Sequence, residues 1–313
     1  MQTDLTNGSV LKNIALFSLP YFLSYFLQTL YGLADLFIIG QFDGVDSITA
    51  VSIGSQIMHM ITVMIVGLSM GATVCIAQAV GAKDKEKLRY CIGNTVTVFF
   101  IVSLILTGLL LFFTDFIVGV VKTPAEAVAG TKEYLTICFI GIPLITAYNI
   151  VSSILRGMGD SKSPMYFIAI ACVANIILDY VFIGYFKLGA VGAALGTTLS
   201  QGISVICALT YINRNNSSDS SSFAYLKLKG NTAKRLLRIG IPICVQDGFI
   251  QVAFMVITVI ANMRGLTDAA AVGIVEKLIS FIFLVPSSML STVSAMGAQN
   301  IGAGKFDRAK QTL

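Results

Sequence analysis

The amino-acid sequence predicts an all-α fold, a polytopic bundle of about eight transmembrane helices. Of the 313 residues, 56% are hydrophobic and only 12% are charged, whereas soluble domains carry about 25% charged residues. The apolar residues are also gathered into runs of the length that a bilayer requires, about 20 residues each. A soluble fold of this size has too little interior to bury so much apolar surface, so we expect the lipid bilayer to surround the protein.

Eight apolar runs are the expected membrane spans. The breaks between them are short and polar, as in GAKDKEKLR and the serine-rich NRNNSSDSSS. Several runs are longer than a minimal span, so some helices are expected to tilt or to project beyond the bilayer. The runs are approximately Ile14–Gly40, Ile48–Val80, Cys91–Val121, Tyr134–Leu155, Pro164–Phe186, Ala190–Ile212, Leu236–Met263 and Ala269–Ala298.

The chain contains an internal repeat with a shift of about 221 residues. A Gln-x-x-Gly-Ala motif occurs at residues 78–82 and again at 299–303. With a one-residue gap, Pro20 falls on Pro242. Both copies begin on the same side of the predicted membrane, so the repeat is parallel. Duplication of this kind is typical of secondary transporters.

The repeat divides the chain into unequal parts. We expect a six-helix lobe at residues 1–212, a cytoplasmic linker at 213–235 and a partial second lobe of two helices at 236–313. Because the second copy stops after two spans, the chain is expected to be truncated at its C-terminus, with an incomplete second lobe.

The basic residues predict the orientation. Most of the 21 Lys and Arg residues, including Arg156 and Lys162, lie in breaks on the side of the N-terminus. The positive-inside rule therefore predicts a multi-pass protein of the inner (cytoplasmic) membrane with a cytoplasmic N-terminus. The net charge of +5 is spread over many short loops, a distribution that does not predict nucleic-acid binding.

Three features together resemble the multidrug and toxic compound extrusion (MATE) family. They are LRGMGDSKSPMY at residues 155–166, the pair QAVGAKD and QNIGAGK after the second and eighth spans, and a set of polar residues within the spans. The resemblance implies two six-helix lobes facing each other across a central cavity, of which this chain would supply about two thirds. It also implies export of organic, often cationic, compounds against an inward flow of protons or sodium.

Four polar residues are predicted to form a cation site in the first lobe. At about 1.5 Å per residue, Asp35, Asp179 and Thr197 lie at a similar depth, and Asn175 lies one turn before Asp179. Their oxygens suit a sodium ion or can take up protons. The resemblance places a coupling site at these four positions, although hydrogen bonding between helices is the alternative role.

Other residues are candidates on weaker grounds. The resemblance points to Pro20 as a bend in the first helix, although most membrane prolines are static kinks. Tyr31, Met64 and His59 are candidate lining residues of a cavity, with simple packing as the alternative. For His59, the only histidine in the sequence, a proton relay is a further alternative. Asp247 lies one turn away from the position at which another branch of the family has a glutamate.

The motifs that are absent narrow the function. The sequence has no G-x-x-x-x-G-K-[ST] loop for ATP and no H-E-x-x-H or G-x-S-x-G motif, so neither an ATP-driven pump nor an enzyme is predicted. The predicted function is secondary multidrug efflux by a monomer, with H⁺ or Na⁺ as coupling ion and no other cofactor. A flippase for lipid-linked oligosaccharides and a non-transporting membrane scaffold are the alternatives.

Overall fold

The computed structural model describes residues 4–215, 229–264 and 266–313. Within these ranges the chain forms eleven α-helices and no strand. Seven helices are long and apolar enough to cross a membrane, and a bent pair of shorter helices makes an eighth span. The predicted all-α bundle of about eight spans is therefore confirmed.

The helices extend a few residues beyond most of the predicted runs because their first and last turns are polar. A 3₁₀ turn at Ala125–Ala127 precedes α5, and a π-helical segment, Tyr180–Tyr185, follows α7. The α-helices are α1 Val10–Phe42, α2 Val45–Gly81, α3 Lys85–Phe112, α4 Thr114–Val120, α5 Val128–Ile140, α6 Ile142–Gly157, α7 Lys162–Asp179, α8 Gly189–Asn215, α9 Gly230–Arg264, α10 Leu266–Gly302 and α11 Phe306–Thr312.

The fourth span is broken. Helices α5 and α6 meet at Gly141 with a bend of 45°, and Pro143 lies in the first turn of α6, where a missing N–H costs nothing. Pro20, Pro242 and Pro286 instead lie inside the continuous helices α1, α9 and α10.

The internal repeat is visible in the helix boundaries. Adding the sequence shift of about 221 residues to the first and last residues of α2 gives the first and last residues of α10. Adding it to the first residue of α3 gives the first residue of α11. The turns match as well, since Lys83 and Gly304 occupy equivalent positions with φ of 54° and 73°. The backbone hydrogen bonds of the two turns follow the same pattern. The duplication is thus preserved down to single turns.

Helix α2 is the central element of the bundle. We call α1–α8 the first lobe and α9–α11 the second lobe. Helix α2 packs against α5 and α6 of the first lobe and against α9 and α10 of the second lobe. Residues 213–215 and 230–235 at the ends of the predicted linker are helical, and residues 216–228 lie outside the described ranges. We call the end of the bundle at which α1 and α9 begin and α2 and α10 end the N-terminal end.

Candidate functional site

The four polar residues of the predicted cation site lie together inside the first lobe. Asp35 comes from α1, Asn175 and Asp179 from the last turns of α7, and Thr197 from α8. Asp35 is 2% exposed, and Asn175 and Asp179 are fully buried. The Thr197 hydroxyl donates a hydrogen bond of 3.1 Å to Oδ2 of Asp35. Depth counted along the sequence therefore predicted a true spatial cluster.

The end of α7 and a glycine of α8 shape this cluster. Asp179 is the last α-helical residue before the π-helical segment, and such wide turns occur frequently at functional sites. A Cβ atom added to Gly196 would overlap Oδ1 of Asp179 and would lie 3.6 Å from Nδ2 of Asn175. Glycine at this position therefore allows α8 to approach the carboxylate directly.

Most polar atoms of the cluster have no hydrogen-bond partner among the described residues. They are Oδ1 of Asp35, both carboxylate oxygens of Asp179 and both side-chain polar atoms of Asn175. Asp35 and Asp179 lie close enough to interact with each other, but their oxygens form no hydrogen bond of ordinary geometry.

The chemistry of these atoms requires a positive partner. Two buried carboxylates without a counter-charge are strongly unfavourable, so a proton or a cation must neutralise at least part of their charge. The unpaired atoms are mainly oxygens, and an all-oxygen ligand set suits a hard cation such as Na⁺. The described residues contain no group of three or more acidic, histidine or cysteine side chains that would hold a divalent transition metal. The arrangement can therefore bind a proton or a sodium ion.

The remaining candidates lie in different surroundings. Tyr31 lies one turn before Asp35 and packs against the first-lobe cluster around Tyr148, so it belongs to the lobe interior. Pro20 is buried in the N-terminal half of α1.

The two candidates on α2 differ in their surroundings. The side chain of Met64 lies 3.3 Å from the Cβ position of Gly248 on α9, which places it between the lobes. His59 is exposed on α2, two turns before Gly67, whose Cβ position faces Asp247.

Sequence reasoning misplaced Arg156. The sequence predicts a loop charge at this position, but Arg156 is the penultimate residue of α6 and is 9% exposed. Its guanidinium lies 4.3 Å from the ring centre of Tyr21 on α1, and its Nε has no hydrogen-bond partner in the described ranges. The Tyr21 ring therefore makes a cation–π contact with this charge. Gly196 was also missed, although its position beside Thr197 on a small-residue helix face was the available signal.

Comparisons with known proteins agree with this architecture. The MatE family model matches residues 20–181 and 242–313. Probable multidrug resistance protein YoeA of Bacillus subtilis is 30% identical over 312 residues, which cover 97% of this chain and 67% of YoeA. Probable multidrug resistance protein YpnP of the same organism is 32% identical over 306 residues, covering 97% of this chain and 68% of YpnP.

Solved structures show the same fold. A crystal structure of MATE in the bent conformation superposes with a TM-score of 0.86 at 24% identity, covering 98% of this chain and 69% of that one. The chain belongs to the MatE family, the multidrug and toxic compound extrusion transporters that its motifs resemble.

Proposed function

We propose that the chain works in secondary active efflux of small organic, cationic compounds across the cytoplasmic membrane, coupled to inward movement of H⁺ or Na⁺. It acts as a monomer with a cytoplasmic N-terminus, and the coupling ion is its only cofactor. The names of YoeA and YpnP, both multidrug resistance proteins, support the substrate class. The buried, unpaired oxygens of Asp35 and Asp179 support the coupling.

The unpaired carboxylates carry the mechanism. A cation or proton entering the cluster supplies the missing partner for Asp35 and Asp179, so it stabilises whichever conformation holds these residues together. Thr197 orients Asp35 through its hydrogen bond, and Asn175 adds a carbonyl oxygen one turn from Asp179. Coupling requires only that the cation and the drug favour different conformations.

The two alternative functions are less well supported. A flippase that binds a pyrophosphate-linked lipid needs several cations in its cavity, and Arg156 is the only buried Lys or Arg among the residues whose burial is described. A scaffold has no need for two buried carboxylates that lower its stability.

Sodium and proton binding at equilibrium test the proposal. Asp35→Asn and Asp179→Asn preserve side-chain shape and remove the charge, so each is expected to lower binding of radioactive sodium at least about tenfold. The matched control is Asp46→Asn, which removes a carboxylate from the exposed first turn of α2. Titration at several pH values distinguishes the ions, because protons compete with sodium only if they share the site.

Export completes the test. Efflux of a fluorescent organic cation from vesicles, driven by an imposed pH or sodium jump, is expected to disappear in both Asn variants and to persist in Asp46→Asn. If both Asn variants bind sodium and protons like the control and export at its rate, Asp35 and Asp179 are structural and the proposal is wrong.

A further inference from the structure

The two Gln-x-x-Gly-Ala motifs contact each other at the N-terminal end of the bundle. A Cβ atom added to Gly81 at the end of α2 would overlap the carbonyl oxygen of Gln299, and one added to Gly302 at the end of α10 would overlap that of Gln78. The contact is therefore reciprocal, like the contact across a two-fold axis. Each glycine makes room for the backbone of the opposite motif, so the two helices cross with almost no gap.

The glutamines of the motifs also reach into the opposite lobe. Gln78 of the first lobe accepts a hydrogen bond from Arg235 of α9. Gln299 of the second lobe donates to the carbonyl of Gly157 at 3.2 Å and accepts from the backbone N–H of Leu5 at 3.4 Å. We call Gln78, Gly81, Gln299 and Gly302 the seal.

The segment before α1 lies across this crossing. Leu5 is fully buried and packs with residues of α1 and α10. Asn300, Lys305 and Arg308 of the second lobe donate hydrogen bonds to backbone carbonyls of residues 5–8, with distances from 2.6 to 3.5 Å. We call residues 4–8 the strap, since it belongs to the first lobe but is held mainly by the second.

Burial shows that the lobes meet chiefly at this end. On α10, the buried residues all lie between Leu284 and Asn300, and no residue of its first half whose burial is described is buried. On α9, Leu236 and Gly240 in the first half and Gly248 just past the midpoint are buried, and Ala261 is the only other residue of described burial in this helix that is buried. Contacts between the lobes are thus concentrated towards the N-terminal end of the bundle.

We propose that this crossing is the cytoplasmic gate of the transporter, with the paired motifs as its seal and the strap as a latch that must be released before the gate opens. The gate's place in a transport cycle rests on the proposed function. Its closure follows from the reciprocal glycine contacts, the cross-lobe hydrogen bonds and the burial of Leu5, none of which involves the cation site.

Accessibility of a buried cysteine tests the gate directly. Thr292 is completely buried (0% exposed). Its hydroxyl has no hydrogen-bond partner in the described ranges, so Thr292→Cys is a mild replacement. It lies one turn from Met296, which packs on the strap residue Leu5. An impermeant maleimide is added to inside-out vesicles, and the unmodified chain gives the background of the six native cysteines.

The seal is perturbed by one methyl group. Combined with Thr292→Cys, Gly81→Ala or Gly302→Ala is expected to raise the labelling rate from the cytoplasmic face at least about tenfold, because the overlap prevents close crossing. The control is Gly297→Ala on the same helix, where a Cβ atom meets nothing within 4 Å, and it is expected to change the rate less than about twofold. Size-exclusion chromatography checks that each variant is folded.

The strap is perturbed independently. Arg308→Ala removes the donor to three strap carbonyls and is expected to raise labelling about tenfold, whereas Lys310→Ala removes one charge from an exposed position of α11 and leaves the rate unchanged. If a glycine variant fails to fold, the Arg308 variant decides the outcome.

Two results overturn the gate. One is labelling of Thr292→Cys as fast as a cysteine at the exposed position of Phe306 in an otherwise unchanged chain. The other is equal labelling in the seal, strap and control variants. The labelling measurement needs neither an ion gradient nor a drug. Absence of cation binding or export would therefore disprove the proposed function without changing the labelling result. Conversely, a labelling result that overturns the gate leaves the tests of cation binding and export unaffected.

Discussion

Gly196→Ala is the sharpest perturbation of the proposed cation site, because it changes no polar atom. The added methyl group would overlap Oδ1 of Asp179, and Cγ of that residue lies only 3.2 Å from the new Cβ position. Either the carboxylate turns away or α8 retreats. A retreat of α8 also lengthens the hydrogen bond of 3.1 Å between Thr197 and Asp35.

The size of the effect follows from the overlap. Restoring an ordinary contact of about 3.5 Å requires a displacement on the order of 1 Å. Overpacking of this kind costs about 1–3 kcal/mol, and about 1.4 kcal/mol corresponds to a tenfold change in an equilibrium constant. Since the displaced group is itself a proposed ligand, we expect cation affinity to fall by about 5-fold to 150-fold.

A second glycine of α8 provides the control. A Cβ atom at Gly202 would lie 3.5 Å from Cδ1 of Leu144, an ordinary contact, so Gly202→Ala carries the same gain in helix propensity without the overlap. Binding of radioactive sodium, and of protons by titration, is measured for both variants at equilibrium. If Gly196→Ala binds both ions as tightly as Gly202→Ala, Asp179 need not hold its position and the site does not work as described.

Two further predictions concern the motif at residues 155–166 and the topology. Asp160 accepts hydrogen bonds from the backbone N–H groups of Lys162 and Ser163 at the start of α7. Asp160→Ala is therefore expected to lower the free energy of unfolding by about 1–2 kcal/mol. An unchanged midpoint of thermal unfolding would show that these hydrogen bonds are dispensable. A cysteine replacing Asp219 is expected to react with impermeant reagents only from the cytoplasmic face, and a cysteine replacing Pro124 is expected to react only from outside. The reverse pattern of labelling would show that the proposed orientation is inverted.

The sequence was sufficient to predict the spans and to predict that Asp35, Asp179 and Thr197 lie close together. Apolar runs separated by short polar breaks gave the helices, because a bilayer admits few alternatives to helices of that length. Equal depth on neighbouring helices grouped Asp35 with Asp179 and Thr197, since a rise of about 1.5 Å per residue converts position into height.

Height alone did not show which helices touch. The π-helical segment that follows Asp179 and the close approach of α8 to this carboxylate at Gly196 are consequences of packing rather than of local pattern. Arg156 illustrates the same limit. A basic residue between an apolar run and a polar break resembles a loop charge, and only the three-dimensional structure reveals that the ring of Tyr21 on α1 covers it.

The recurrence of Gln-x-x-Gly-Ala has a physical cause that the sequence did not disclose. In a parallel duplication, two equivalent helix ends can meet across a pseudo-two-fold axis, and each then contacts the counterpart of itself. A close backbone crossing on such an axis requires a small residue on both helices, because a side chain on either one keeps them apart. Gly81 and Gly302 meet that requirement together. Replacing either one is therefore expected to disrupt the same contact, and combining Gly81→Ala with Gly302→Ala should increase labelling at Thr292→Cys by less than the product of the two single effects.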